Sequence, residues 1–139
     1  MKKLLTLVIT GLLFLSACST AKNVATSSTA LYETKWLLKK IHMGSTVENV
    51  NTKAFIRFDA AKGSAGGNGS CNSFGSNAAV NGNEVKFSNV FSTKMYCEAV
   101  QQVEDKFLGG LEKVTQYKIA GKTLKLYNGN DLLLEFDAE

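Results

Sequence analysis

The sequence predicts an α+β domain, mainly β, in which a curled antiparallel sheet packs against one α-helix. Several short segments alternate apolar and polar residues, as strands with one buried face do. Turn dipeptides such as Asn81-Gly82 and Asn128-Gly129 separate such segments at hairpin spacing. Residues 98–114 instead combine helical periodicity with sufficient length. The order of elements along the chain is several strands, one helix and then further strands, with short connections. This order favours an antiparallel sheet curled over that helix.

Residues 1–17 are predicted to form a lipoprotein signal peptide. Lys2 and Lys3 precede an apolar run over residues 4–15, shorter than the roughly 20 residues that a membrane-spanning helix needs. The run ends in Leu15-Ser16-Ala17-Cys18, which resembles the bacterial lipobox, where the cysteine accepts lipid. We expect cleavage before Cys18 and a lipid anchor on it. The alternative is a plain secretory signal that contains a cysteine.

The expected anchor places the protein in the cell envelope, outside the cytoplasm, since several acyl chains hold a protein durably on a membrane. Ser19 stands where many inner-membrane lipoproteins carry an aspartate, which favours an outer membrane if the cell has one. Residues 18–30 are small and polar and are predicted to form a lipidated flexible tether. The folded domain is expected to span residues 31–139 as a monomer.

The charge of the chain argues against nucleic acid as a partner. The formal net charge is +4, and part of it leaves with Lys2 and Lys3 of the signal peptide. The remaining basic residues form no long run. About 120 residues remain, enough for one domain with its own core.

Three segments near the start of the domain carry strand or loop signals. Residues 32–41 are predicted to form a strand entered through a short turn, and residues 53–59 alternate clearly. Residues 63–77 are dense in glycine, serine and asparagine, a composition usual for a loop. A bent glycine-rich strand pinned by a disulfide fits as well. The buried face of the 53–59 strand is expected to consist of Ala54, Ile56 and Phe58.

The single predicted helix covers residues 98–114, where apolar residues recur at spacings of three or four. Its later turns are weakened by Gly109-Gly110. Hairpin turns are expected at Asn81-Gly82 before the helix, and at Gly121-Lys122 and Asn128-Gly129 after it. The apolar stripe consists of Val100, Val103, Phe107, Leu111 and Val114. The side chains expected to face away from the stripe are Gln101, Gln102, Glu104 and Asp105.

Three cysteines in an exported chain would normally leave one unpaired. Because Cys18 is expected to carry lipid, Cys71 and Cys97 remain to form a disulfide in an oxidising compartment. A metal site is an alternative, but two isolated cysteines and one histidine make a poor ligand set. A catalytic thiol is another, although nothing nearby in the sequence would obviously lower its pKa.

Four features of this chain resemble the META-domain family of HslJ-like bacterial lipoproteins. They are the opening Trp36-Leu37-Leu38, the glycine-rich run of residues 66–75 around Cys71-Asn72, Thr93-Lys94-Met95-Tyr96-Cys97, and a helix leading into a hairpin at Leu124-Lys125-Leu126. One residue departs from the family pattern: Ser70 replaces the usual glycine before the cysteine, so a less contorted backbone is expected there.

The resemblance implies a single antiparallel domain of cracked β-barrel type with its two cysteines paired. It also implies a shape similar to that of a secretion pilotin, a lipoprotein that binds lipid tails or an apolar partner segment. Members of the family are associated with stress or antibiotic tolerance, motility and virulence, and they share no established biochemical activity. The resemblance therefore informs the fold far more than the function.

No set of catalytic groups can be assembled from the sequence. His42 is the only histidine, and as a general base it would need a nucleophile and an orienting carboxylate. Gly67-Asn68-Gly69 lacks the lysine of a phosphate-binding loop, and residues 128–131 are too few for a calcium-binding EF-hand loop. We expect no enzyme activity, metal or cofactor.

Binding remains as the expected type of function, and two groups of residues are candidates for a binding site. The first could line a crevice in the curled sheet or simply fill the core: Phe74, Met95, Tyr96, Phe107 and Tyr117. The second is a polar patch beside the disulfide: Asn72, Thr93 and Lys94. We expect a non-enzymatic envelope lipoprotein that binds a lipid or protein partner in stress tolerance, secretion or envelope maintenance. The alternative is a structural or inhibitory module with a filled core that plugs a protein partner.

Overall fold

Residues 30–139 are described by the computed structural model, and they form nine strands and one helix. The predicted signal peptide, most of the tether and the expected lipid acceptor Cys18 lie outside the described residues. No helix within residues 30–139 is long and apolar enough to cross a membrane. The elements are β1 (Trp36–Met43), β2 (Thr46–Asn49), β3 (Phe55–Asp59), β4 (Ser64–Asn68), β5 (Ser73–Asn81), β6 (Glu84–Ser92), α1 (Gln101–Leu111), β7 (Gln116–Ala120), β8 (Thr123–Asn128) and β9 (Asp131–Ala138).

All nine strands belong to one antiparallel sheet with the order β2-β1-β3-β4-β5-β6-β7-β8-β9. β1 also pairs with β9, so the sheet curls until its two ends meet. The weakest junction is between β6 and β7, where Glu84 and Gln116 form the single register pair. The connection between these two strands contains α1. This architecture confirms the predicted fold class, a curled antiparallel sheet packed with one helix.

The core lies between the inner face of the curled sheet and α1. Trp36, Phe107 and Phe136 are among its largest side chains, and each is 0% exposed. Trp36 also donates its indole N–H to the Leu31 carbonyl oxygen at 3.0 Å, which attaches the start of the domain to β1. The alternation predicted for residues 53–59 is confirmed, because the expected face is buried: Ala54, Ile56 and Phe58.

The glycine-rich stretch is neither a loop nor a single strand. Its residues form β4 and β5, which pair with each other in a hairpin. Two glycines let β4 approach both of its neighbours closely, because a Cβ on Gly67 would lie 2.1 Å from the carbonyl oxygen of Phe55 on β3. A Cβ on Gly66 would lie 2.8 Å from the Phe74 carbonyl oxygen. Glycine here serves backbone approach within a sheet, a role that composition alone does not distinguish from loop formation.

The helix is shorter than predicted, and one strand was not expected. α1 begins at Gln101 because the preceding residues form a turn in which the N–H groups of Val100 and Gln101 share the Cys97 carbonyl oxygen. β2 follows β1 through a turn at Gly44, whose φ is 62°. The three predicted hairpin turns are confirmed, with positive φ at Gly82, Gly121 and Gly129.

Candidate functional site

The disulfide predicted between Cys71 and Cys97 is present, with the two Cα atoms 5.9 Å apart. It joins the turn between β4 and β5 to the segment between β6 and α1. These two segments therefore lie side by side, although the cysteines are 26 residues apart in sequence. The hydrogen bonds around this disulfide define the candidate site.

Asn72, beside the disulfide, is 2% exposed and uses all four hydrogen-bonding positions of its side-chain amide. Its Nδ2 donates to the Met95 carbonyl oxygen at 2.9 Å and to Glu104 Oε1 at 2.6 Å. Its Oδ1 accepts from Thr93 Oγ1 and from the Met95 N–H, both at 2.8 Å. A buried amide with every group satisfied holds one orientation, so Asn72 fixes the backbone of residues 93–95.

Glu104 completes this network from the helix and is also 2% exposed. Its Oε2 accepts the backbone N–H of Cys71 at 3.0 Å and that of Asn72 at 2.7 Å. The turn approaches the carboxylate so closely that a Cβ on Gly69 would lie 2.6 Å from Oε2. Glycine at position 69 is explained by this close approach.

The expectation that Glu104 faces away from the apolar stripe is wrong. Glu104 lies four residues after Val100 and three before Phe107, which puts it on the buried face of α1. A carboxylate at a core position of an amphipathic helix is the sequence signal that could have identified it. Burial is tolerated because three donors converge on its two oxygens.

Ser70, in the same turn, keeps the backbone conformation of a glycine. Its φ is 121°, so the expected relaxation of the backbone at this position is wrong. Ser70 Oγ and Thr52 Oγ1 share a hydrogen bond of 2.8 Å, and the Ser70 N–H donates to Asn68 Oδ1 at 3.0 Å. The hydrogen bonds with Thr52 and Asn68 hold Ser70 in a backbone conformation that residues with a side chain otherwise avoid.

Residues 91–96, here called the 91–96 segment, are held by this network through Thr93 and the Met95 backbone and expose large apolar side chains. Phe91, Met95 and Tyr96 are 69%, 63% and 77% exposed, respectively. A surface pocket of about 390 Å³ lies between the segment and α1. The lining of this pocket includes five of the predicted binding residues: Asn72, Thr93, Lys94, Met95 and Tyr96.

The other three predicted binding residues lie elsewhere. Phe74 and Phe107 are buried in the core, with ring centroids 5.4 Å apart in an edge contact. Phe107 makes a second edge contact with Phe136 at 5.8 Å. Tyr117, on β7, is partly buried against the core, and burial together with the nearby Tyr32 raises the pKa of its hydroxyl. The candidates therefore divide between a surface site beside the disulfide and the filled interior.

His42 lies on β1, where burial lowers the pKa of its imidazole against the opposing effect of Glu135. It lines a different surface pocket, and the described lining of that pocket contains no serine, threonine or cysteine that could act as a nucleophile. Within residues 30–139, no three His, Cys, Asp or Glu side chains are grouped to hold a metal ion.

Comparison with known proteins identifies the family. The model of the META domain matches residues 29–139, which is most of the chain. A solution structure of a protein from Burkholderia xenovorans is similar in fold, with 20% identity, a TM-score of 0.67, and coverage of 78% of this chain and 83% of that one. A second solution structure has 18% identity, a TM-score of 0.57, and coverage of 77% and 90%. None of the curated proteins compared with this sequence matches it. The chain belongs to the META-domain family.

Proposed function

We propose that this protein is a non-enzymatic lipoprotein of the cell envelope that binds a protein partner through the 91–96 segment. The observation that carries the proposal is the fully hydrogen-bonded Asn72 beneath exposed Met95 and Tyr96. A surface held in one conformation before binding loses little conformational entropy on association. Methionine and tyrosine are also enriched at protein interfaces.

The charges around the segment favour a protein over a membrane surface. Lys94 is exposed, but so are the acidic residues Glu98 and Asp105 nearby in the chain. Binding to an anionic membrane surface is favoured by a cluster of basic residues, each contributing about 1 kcal/mol. Mixed charge around exposed aromatic and apolar groups is instead typical of the rim of a protein interface.

The filled interior favours the second candidate function, an inhibitory or structural module that plugs its partner. Phe74, Phe107 and Phe136 occupy the centre of the domain in successive edge contacts. An acyl chain enclosed there would have to displace these rings. The domain would then act through its rigid outer surface, and the partner would be blocked or braced by the 91–96 segment.

Export and anchoring are supported by the leader and the cysteine usage. The sequence before Cys18 resembles a lipobox, and a disulfide between the other two cysteines suits an oxidising compartment. Because the thiol must carry lipid before the leader is cut, replacement of Cys18 by alanine in the native host is expected to abolish acylation and leave residues 1–17 attached, as measured by mass spectrometry. An acyl mass on the variant, or normal removal of residues 1–17, would contradict the anchoring.

Site-specific photocrosslinking in the intact envelope tests the binding surface. A photoreactive phenylalanine analogue at position 91, 95 or 96 of the full chain should give the same discrete protein adduct. The same probe at Asn83, an exposed residue in a hairpin turn, is the matched control and should not give it.

A competition experiment tests whether the adduct reflects specific binding of the partner. Added unlabelled wild-type protein should suppress the adduct, whereas a protein carrying Met95→Ser and Tyr96→Ser should not. Equal competition by both proteins, or the same adduct from position 83, would overturn the proposal. Adducts of phospholipid mass at positions 91–96 would instead identify a lipid as the binding partner and overturn the proposal of a protein partner.

A further inference from the structure

Helix α1 contains two adjacent glycines whose presence the local geometry does not require. Glycine is the poorest helix former apart from proline, yet Gly109 and Gly110 lie within the last turn of this 11-residue helix. Neither has a positive φ. A Cβ on Gly109 would meet nothing within 4 Å, and one on Gly110 would lie at 3.4 Å from Leu134 Cδ2. Alanine would therefore fit sterically at position 109.

A surface pocket lies beside these glycines, between α1 and the strands β1 and β9. Its volume is about 370 Å³, within the range of pockets that hold small ligands. Gly109 and Gly110 form its helical wall, and the opposite wall comes from the end of β1 and from β9. Its accessible apolar side chains are Met43, which is 42% exposed, and the partly buried Leu133, whereas Ile41 and Leu134 lie behind them in the core.

Two lysines flank these glycines in the lining of the pocket. Lys106 lies three residues before Gly109 on α1, and Lys113 lies in the turn that follows the end of the helix at Leu111. Lys106 Nζ already pairs with Glu48 Oε2 at 2.7 Å. Lys113 is exposed and forms no ion pair in the described part of the chain.

The remaining polar groups of the lining are Asp105 and His42. The Asp105 carboxylate accepts a hydrogen bond of 2.8 Å from Gln101 Nε2. His42 Nε2 is buried and has no hydrogen-bond partner among the described residues.

We propose that this pocket binds a small amphiphile with one anionic end, whose apolar part lies over Gly109 and whose anionic end is held by Lys113. Met43 and Leu133 in the lining and the Lys113 cation supply the two complementary features. Glycine at position 109 is then explained by the space that the ligand occupies. This site shares only Asp105 with the pocket beside the 91–96 segment, so it is independent of the proposed partner surface.

Calorimetric titration of the expected mature chain, residues 18–139 carrying Cys18→Ser, tests the proposal without competition from its own lipid or from the apolar leader. The probes are decanoate, decanol and decyltrimethylammonium, which share a chain and differ in the charge of the head. Decanoate should bind with a stoichiometry of one and at least ten-fold more tightly than decyltrimethylammonium. No binding of decanoate, or equal binding of the cationic probe, would overturn the proposal.

Substitutions then locate the site. Gly109→Leu should weaken decanoate binding at least ten-fold without lowering the melting temperature, because its side chain fills open space in a helix. Lys113→Gln should reduce the affinity for decanoate to that for decanol. Lys39→Gln, at an exposed position outside the lining, is the matched control and should change neither. Unchanged decanoate binding by Gly109→Leu, or an equal effect of Lys39→Gln, would place the ligand elsewhere.

Discussion

Asn72 Nδ2 donates a hydrogen bond of 2.6 Å to Glu104 Oε1, and both residues are 2% exposed. This bond connects the turn between β4 and β5 to the first turns of the helix, 32 residues away. Together with the disulfide, it determines how the end of β6 enters α1. The buried polar network therefore holds the backbone that carries the exposed Met95 and Tyr96 side chains.

Glu104→Gln should destabilise the protein by about 2 to 3 kcal/mol, because an amide cannot accept hydrogen bonds with both of its terminal atoms. Its NH₂ group would face either Asn72 Nδ2 or the two backbone N–H groups that now bind Oε2. Equilibrium unfolding in urea measures the loss. Asp105→Asn, at the exposed neighbouring position, should change the stability by less than about 0.5 kcal/mol. Equal effects of the two substitutions would contradict a structural role of the network.

Removal of the disulfide by the double substitution Cys71→Ser and Cys97→Ser should cost about 3.5 kcal/mol in the chain-entropy model. The cysteines are 26 residues apart, so the bond restricts a loop of moderate length in the unfolded chain. Urea unfolding of the oxidised protein with and without dithiothreitol provides the comparison. The double variant should be insensitive to the reductant, and sensitivity there would show that the reductant acts elsewhere.

Glu135→Gln should remove a pH-dependent contribution to stability. Burial raises the pKa of Glu135, but hydrogen bonds from Lys40 and Lys125, at 2.7 and 3.0 Å, outweigh it and lower the pKa below its ordinary value of 4.5. Because the folded-state pKa is lowered, the stabilisation is present above that ordinary value and is lost as the pH falls through the folded-state pKa.

The variant should accordingly be less stable than wild type by about 1 kcal/mol at pH 7, since both lysines are partly exposed and the ion pairs are screened. The difference should be smaller at pH 3 than at pH 7, as measured by urea unfolding at both pH values. Glu84→Gln, at an exposed carboxylate without an ion pair among the described residues, should differ from wild type at neither pH. If the stability difference between Glu135→Gln and wild type were as large at pH 3 as at pH 7, the loss of stability would come from packing and not from the charge of Glu135.

Alanine substitution of two glycines should have opposite effects on stability. Gly67→Ala should destabilise the protein by about 3 kcal/mol or more, because its Cβ would lie 2.1 Å from the Phe55 carbonyl oxygen and the strands would have to separate. Gly109→Ala should stabilise it by up to about 1 kcal/mol, since the site is helical and open. Thermal and urea unfolding measure both. Stabilisation by Gly67→Ala would contradict the close pairing of β3 and β4.

Local patterns predicted most of the elements correctly because they depend on neighbouring residues. Alternation identified the buried face of β3, and glycine in the turn dipeptides located three hairpins. The number of cysteines predicted the pairing of Cys71 with Cys97, because these two remain once Cys18 is assigned to lipid. These properties follow from strand periodicity, turn dihedral angles and the number of thiols, none of which requires knowledge of distant contacts.

The candidate site was predicted only in part. Asn72, Thr93, Lys94, Met95 and Tyr96 do meet beside the disulfide, whereas Phe74 and Phe107 fill the core. Composition cannot separate these groups, because an aromatic or methionine side chain suits either a core or a binding surface. Glu104 was assigned to the exposed face because carboxylates are seldom buried, although its helical position pointed to the core.

Local periodicity and backbone preference specify the class of fold, the turns and the central part of the helix, and the number of thiols specifies the disulfide. The pairing of β1 with β9 and the division of the glycine-rich stretch into two paired strands are visible only in the folded domain. The same is true of Glu104 as the acceptor for the turn at Cys71 and Asn72. These features depend on which groups come together across long sequence separations, where buried donors must find acceptors and backbones must approach closely.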